Sequence, residues 1–287
     1  NIKEEHFLRG VRNILLRVFG DRPWWDVSFT IRDDRDLLDT AELQRLSLAI
    51  CLLQLAYGSR YVGVLLFNKV KPVANYLEQN DLESSDYSLF DEDVKNVLKL
   101  QNDHDARIVV TNLSKQKKDL SGRCLITKIF DAQSVMGDML EYTSAQMRSH
   151  SLPSNMPVII FFKLLRAVRH AVSQIFIDVD IVWDNYDVAL HDYLVADIEY
   201  IEKRDEDTLF IRKMKSLLYA SVNEAAKTIA IHDMPNITTH DLRRLYGAYA
   251  YYLYGNPETM VKTEFIRASF SHDGDAARFY TGVNITE

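Results

Sequence analysis

His240-Asp241-Leu242-Arg243, then Ser271-His272, then Tyr280, with only seven residues beyond it, is the stretch on which the reading of this chain turns. These residue types are what a phenol needs to attack a phosphodiester. The arginine offers a rigid, always-charged fork of donors to a non-bridging phosphate oxygen. One histidine can exchange a proton with the phenol, and the other can hydrogen-bond the phosphorane. Tyrosine is a poor nucleophile at its ordinary pKa of about 10, so it needs such neighbours.

Working outward, two upstream segments carry matching chemistry. The nearly apolar run Leu46 to Tyr57 leads into Gly58-Ser59-Arg60, which sets an arginine just beyond a helix. Farther on, 107–113 and 123–130 are β-rich with partial alternation. They flank a polar turn, 114–122, that contains Lys115, Lys117 and Lys118. A lysine at a hairpin tip can protonate a leaving oxygen, whereas a guanidinium keeps its proton.

In order and type, Arg60, Lys117, His240, Arg243, His272 and Tyr280 resemble the catalytic residues of the tyrosine recombinase superfamily. For the lysine, Lys115 and Lys118 remain alternatives. The strings 241–251 and 265–273, with Asp273 after the second histidine, look closest to the telomere resolvases (protelomerases) of that superfamily. The interval from His272 to Tyr280 is one residue shorter than is usual there, and Ser271 stands where a glycine is common.

The resemblance implies an α+β, mainly helical catalytic domain with a small β-hairpin or sheet. It also implies DNA breakage and rejoining through a 3′-phosphotyrosine, most closely hairpin-telomere formation. Tyr280 would be the nucleophile, Arg60, Arg243 and His272 would hold the phosphorane, Lys117 would protonate the 5′-oxygen, and His240 would handle the tyrosine proton. It implies double-stranded, palindromic DNA as partner, a homodimer on that DNA, and no cofactor or metal. A site-specific recombinase or integrase, or a DNA-binding scaffold that keeps the fold without catalysis, are the alternatives.

The chain has 287 residues, 47% of them hydrophobic, and is read as a single domain spanning 1–287. It begins with Asn1, which is compatible with a fragment that lacks an upstream DNA-binding arm. Only seven residues follow Tyr280, so a C-terminal exchanging helix is expected to be either absent or left out of this sequence. The net charge of −7 runs against a nucleic-acid enzyme, because phosphate affinity comes from Lys and Arg. The charge is uneven, however. Residues 78–105 hold nine acids and two bases, and 178–208 hold eleven acids and two bases, which leaves +9 on the remainder. Both stretches read as acidic insertions into a basic scaffold, with plain solvated faces as the alternative. Cys51 and Cys124 both lie in apolar runs and read as buried thiols. No apolar run reaches the roughly 18 residues of a membrane span, and no signal peptide is visible. The reading is therefore intracellular, soluble and DNA-associated, in a bacterial or phage cytoplasm or a virus-infected cell. The acidic runs have no His/Cys spacing of the kind that holds a metal.

Helical periodicity predicts helices over 4–19, 40–57, 132–148 and 209–231, and one carrying Arg243 that ends at Gly255-Asn256-Pro257, while 158–174 mixes apolar residues with Lys163, Arg166, Arg169 and His170. Leu242, Leu245, Tyr246, Tyr249 and Leu253 form one stripe of the helix carrying Arg243, and the five tyrosines in 246–254 read as core or groove packing rather than as nucleophiles.

Overall fold

The computed structural model describes residues 1–20, 22, 27–30, 40–60, 68–72, 107–112, 121–125, 127–130, 160–161, 164–165, 167–168, 171, 218–270 and 274–287. Within these the protein is mainly helical with small sheets, as an α+β, mainly helical chain should be. The expected helix over 132–148, both acidic stretches and the turn with Lys117 lie outside the described residues.

Helix α1 (Glu4–Phe19) places Phe7, Val11, Ile14, Leu15 and Val18 on one face, each at most 2% exposed. Glu4 and Glu5 open it and Arg17 closes it, which suits the helix dipole at each end. Helix α2 (Thr40–Tyr57) is the central element: Leu46 and Leu48 to Tyr57 are essentially fully buried. Its apolar residues leave no polar face, so no amphipathic stripe directs it, and it must be surrounded. Burial of each such Leu or Ile contributes about 1.5–3 kcal/mol, more than a good helix cap contributes at about 1 kcal/mol. Packing therefore fixes this helix. α1 and a later helix, α4 (Thr239–Tyr254), both lie against it. Positions 160–161, 164–165, 167–168 and 171 are helical and, Ala167 apart, buried, within the 158–174 run of mixed apolar and basic residues. Cys51 is buried with its thiol directed at the carbonyl of Val222 on helix α3 (218–227).

Two predicted elements are shorter in the structure. Helix α3 ends at 227 rather than 231, because the Thr228 hydroxyl donates to the Ala225 carbonyl at 2.7 Å and itself accepts from Arg17 at 2.8 Å. Ile231 and Met234 then form an isolated bridge around Asp233, which has a positive φ of 69°. The strand expected over 123–130 ends early, for a reason set by α2, described next.

Strands β2 (Asn68–Pro72), β3 (Arg107–Asn112) and β4 (Ser121–Leu125) form an antiparallel sheet in that order. The hairpin pairs Thr111 with Ser121 and Ile108 with Cys124. β2 was not anticipated. Its Lys-Val-Lys-Pro sequence is poor strand material by pattern, yet lysines and a terminal proline are what an edge strand tolerates. β4 stops at Leu125 because Thr127 turns onto the end of α2. Its amide donates to the Ala56 carbonyl at 2.8 Å, and its hydroxyl reaches the Leu55 and Ala56 carbonyls at 3.1 and 3.0 Å. These carbonyls have no partner within their own helix. Lys128–Phe130 then forms a 3-10 turn that buries Ile129 and Phe130.

Helix α4 (Thr239–Tyr254) starts with a reciprocal cap between Thr238 and Asp241. Of the tyrosines on this helix, Tyr246 and Tyr249 are buried in the core and Tyr251, Tyr252 and Tyr254 are half-buried against it; Tyr249 and Tyr252 donate to Glu4. Helix α5 (Lys262–Phe270) lies against β4 and against the 3-10 turn Gly274–Tyr280. Finally β5 (Ile285–Thr286) pairs in parallel with β1 (Ile2–Lys3), which ties the residues beyond Tyr280 to the first residues of the chain. No helix among the described residues is long and apolar enough to cross a membrane.

Candidate active site

Three of the six sequence-predicted residues meet directly. His240 sits in the first turn of α4 and Arg243 one turn later, so the two share a face. Tyr280 closes the 3-10 turn and lays its ring against both. Its centroid is 5.0 Å from that of His240, and the Arg243 guanidinium carbon is 5.3 Å above it. Phe270 of α5 completes the group, 5.0 Å edge-on to Tyr280 and 4.3 Å beneath the Arg243 guanidinium. Arg243 is 7% exposed and Tyr280 only 4%.

The fourth residue, Arg60, is exposed and is placed by a glycine. Gly58 ends α2 with φ +74° and donates to the Gln54 carbonyl at 2.8 Å. A Cβ there would lie 2.2 Å from the Tyr246 ring and 2.7 Å from Phe270. Only a residue without a side chain lets this turn dock so closely on α4 and α5. Gln54 then holds the next turn by donating to the Ser59 carbonyl at 3.2 Å. The result is a guanidinium close enough to act on His240. Burial lowers the His240 pKa, and Arg244, Arg243 and Arg60 lower it further, while Asp241 alone opposes them. The imidazole is accordingly biased to its neutral form, in which one nitrogen can accept a proton. Cations gathered round a neutral imidazole and a phenol form a site for an anion of phosphate type.

Lys117, its alternatives Lys115 and Lys118, and His272 lie outside the described residues. The sheet that carries the lysine turn does reach the site, since β4 touches α5 and Thr127 is bonded to α2 two residues before Gly58.

Two contributors were not read from the sequence. Arg244 donates through Nε to the Phe279 carbonyl at 2.9 Å and pairs with Asp241 at 3.1 Å, so it fixes the backbone just before Tyr280. Its signal was the doubled arginine after His240-Asp241-Leu242. Lys262 fixes the backbone just after: its ammonium donates to the carbonyls of Thr281 and Val283 and, at 2.7 Å, to Asn284 Oδ1. Burial lowers its pKa to about 8. Nothing in the local sequence of Lys262 distinguishes it from any surface lysine.

No protein-family model, curated protein or solved structure matches this chain.

Proposed function

We propose that this protein breaks and rejoins DNA through a 3′-phosphotyrosine intermediate, as a strand transferase of the tyrosine recombinase type, and that its outcome is telomere resolution. One observation supports the reading above others: the Tyr280 ring, from the 3-10 turn near the end of the chain, lies against His240 and Arg243 of α4.

In this mechanism the Tyr280 oxygen attacks phosphorus in line with the 5′-oxygen, the phosphorus–tyrosine bond forms, and the bond to the 5′-oxygen breaks. Neutral His240 takes the phenolic proton. Arg60, Arg243 and His272 balance the phosphorane charge, as fixed donors do at other oxyanions. Lys117 delivers a proton to the departing 5′-oxygen. The reverse sequence reseals the strand, and the covalent bond conserves the energy of the phosphodiester. A palindromic duplex bound by a homodimer would present two such phosphates, and joining each strand to its own complement gives hairpin ends.

At 4% exposure, Tyr280 must be uncovered before it can meet a phosphate. That burial favours a second reading, a DNA-binding scaffold that retains the fold without cleavage. A palindromic duplex with a phosphorothiolate at the centre separates the two. An adduct that survives denaturation and maps to Tyr280, absent in Tyr280→Phe, supports the strand-transferase reading. DNA binding without any adduct supports the scaffold, and an adduct on another residue refutes the assignment of Tyr280. Hairpin products from an unmodified palindrome distinguish resolution from exchange between duplexes, which an integrase would give.

A further inference from the structure

Away from Tyr280, His6 on α1 meets His232 and Asp233 in the turn that follows α3. One ligand atom from each lies within 4.8 Å of the others. The two imidazole rings are 4.7 Å apart, and His232 Nδ1 is 2.9 Å from Asp233 Oδ2. In a tetrahedral zinc site, with ligands at about 2.0–2.1 Å, neighbouring donor atoms are about 3.3 Å apart. One edge of that figure is therefore already close to length. The others need a shift of about 1.5 Å or less to reach it, and the side chains that would move, those of His232 and Asp233, are 68% and 60% exposed.

His6 supplies the second observation. Its Nδ1 is buried and has no hydrogen-bond partner among the described residues, an unfavourable state for a ring nitrogen. Its other nitrogen, Nε2, lies 3.4 Å from the Glu5 carboxylate. A carboxylate on one imidazole nitrogen while the opposite nitrogen faces a metal is the usual arrangement around ligating histidines. We propose that His6, His232 and Asp233 form a binding site for a borderline transition-metal dication, Zn2+ in the first instance, with the fourth position open to water.

Two imidazoles and one carboxylate suit zinc and its neighbours and do not suit magnesium or calcium, which take oxygen ligands. The ion would brace the start of α1, itself joined to β5 beyond Tyr280, against the turn that leads into α4. It is independent of the phosphotyrosine chemistry, and its test does not involve DNA.

The experiment is calorimetric titration of the full chain, stripped with chelator, with ZnCl2 and separately with MgCl2, together with thermal melts at each endpoint. One zinc per chain, no heat with magnesium, and a melting temperature raised only by zinc are expected. His232→Ala and Asp233→Asn alter exposed side chains, and asparagine retains the tolerance for positive φ needed at 233. Each should weaken zinc by more than about tenfold, the smallest loss usual for an outer partner alone. The absence of saturable zinc binding, or wild-type affinity in either variant, would overturn the proposal.

Discussion

Replacing Gly58 by alanine puts a methyl group where the structure has none to spare. The new Cβ would stand 2.2 Å from one ring carbon of Tyr246, 2.5 Å from another and 2.7 Å from Phe270. Tyr246 is fully buried and cannot swing away, so either the ring or the end of α2 must shift. Overpacking of this kind costs about 1–3 kcal/mol. The φ of +74° adds about 1–2 kcal/mol for any L-residue with a Cβ. The combined loss of about 2–5 kcal/mol is a large part of the 5–15 kcal/mol that typically holds a domain together.

Gly20 supplies the control. Its φ is also positive, at +57°, but a Cβ there meets nothing within 4 Å. Gly20→Ala should therefore lose only the backbone component, about 1–3 kcal/mol for a conformation (φ 57°, ψ −131°) that residues with a Cβ sparsely populate, less the 0.4–1 kcal/mol that alanine recovers by restricting the unfolded chain. Urea denaturation of both variants, analysed for midpoint at constant slope, measures the difference. Equal losses in the two would refute the claim that Gly58 is there for close approach to Tyr246 and Phe270. In the folded fraction of Gly58→Ala, displacement of Arg60 should also slow DNA adduct formation, while Gly20→Ala should not.

Arg244→Ala frees the Phe279 carbonyl and should slow adduct formation by about 10–100-fold, the usual consequence of misplacing a reacting group by about 1 Å; single-turnover rates within twofold of wild type would contradict its positioning role. The depressed His240 pKa carries a sign. The folded state favours the neutral ring, so the contribution of this group to stability is fully present above the ordinary value of 6.5 and is lost as pH falls through the lower, folded value. Adduct formation should fall on acidification along a limb that lies below pH 6.5, and Arg244→Ala should move that limb upward, because Arg244 is the largest charge effect on the ring; a limb unmoved by the substitution would argue against it. Lys262→Ala should speed amide hydrogen exchange in 281–285 selectively, and uniform exchange across the chain would show that the ammonium does not hold this segment.

How far the sequence could be read depended on whether the signal was local. α1 and α2 have the limits that periodicity and apolar run length give them, because burial decides both helices and burial is written in the residue types. The β-rich runs 107–113 and 123–130 made the hairpin legible, although β4 begins at Ser121, inside the stretch read as its turn. β2 was not legible, since an edge strand needs only one partner and its lysines conceal it. The ends of β4 and α3 were misjudged because they are set by Thr127 and Thr228, whose hydroxyls find carbonyls rather than continuing the pattern. In the site, His240, Arg243 and Tyr280 could be picked by type and order, whereas Arg244 and Lys262 work through backbone carbonyls that any residue could offer. His6 and His232 escaped notice altogether, since only the packing of α1 beside the turn after α3 makes them neighbours.

The net charge of −7 and the arginine group around His240 point in opposite directions, and distance decides between them. At physiological ionic strength the field of an exposed charge is largely screened beyond about 8 Å. A phosphate at the Tyr280 ring would therefore respond to the charges that act on His240. Among the described residues those are the guanidiniums of Arg60, Arg243 and Arg244 against the carboxylate of Asp241, and that carboxylate is already engaged by Arg244 and by the cap of α4. Low exposure of Arg243 and Tyr280 strengthens the local balance further, because water is kept from one side of it. An acidic protein can thus hold a site for an anion. Long-range attraction of DNA is a separate matter, and it depends on where the +9 outside the two acidic stretches faces.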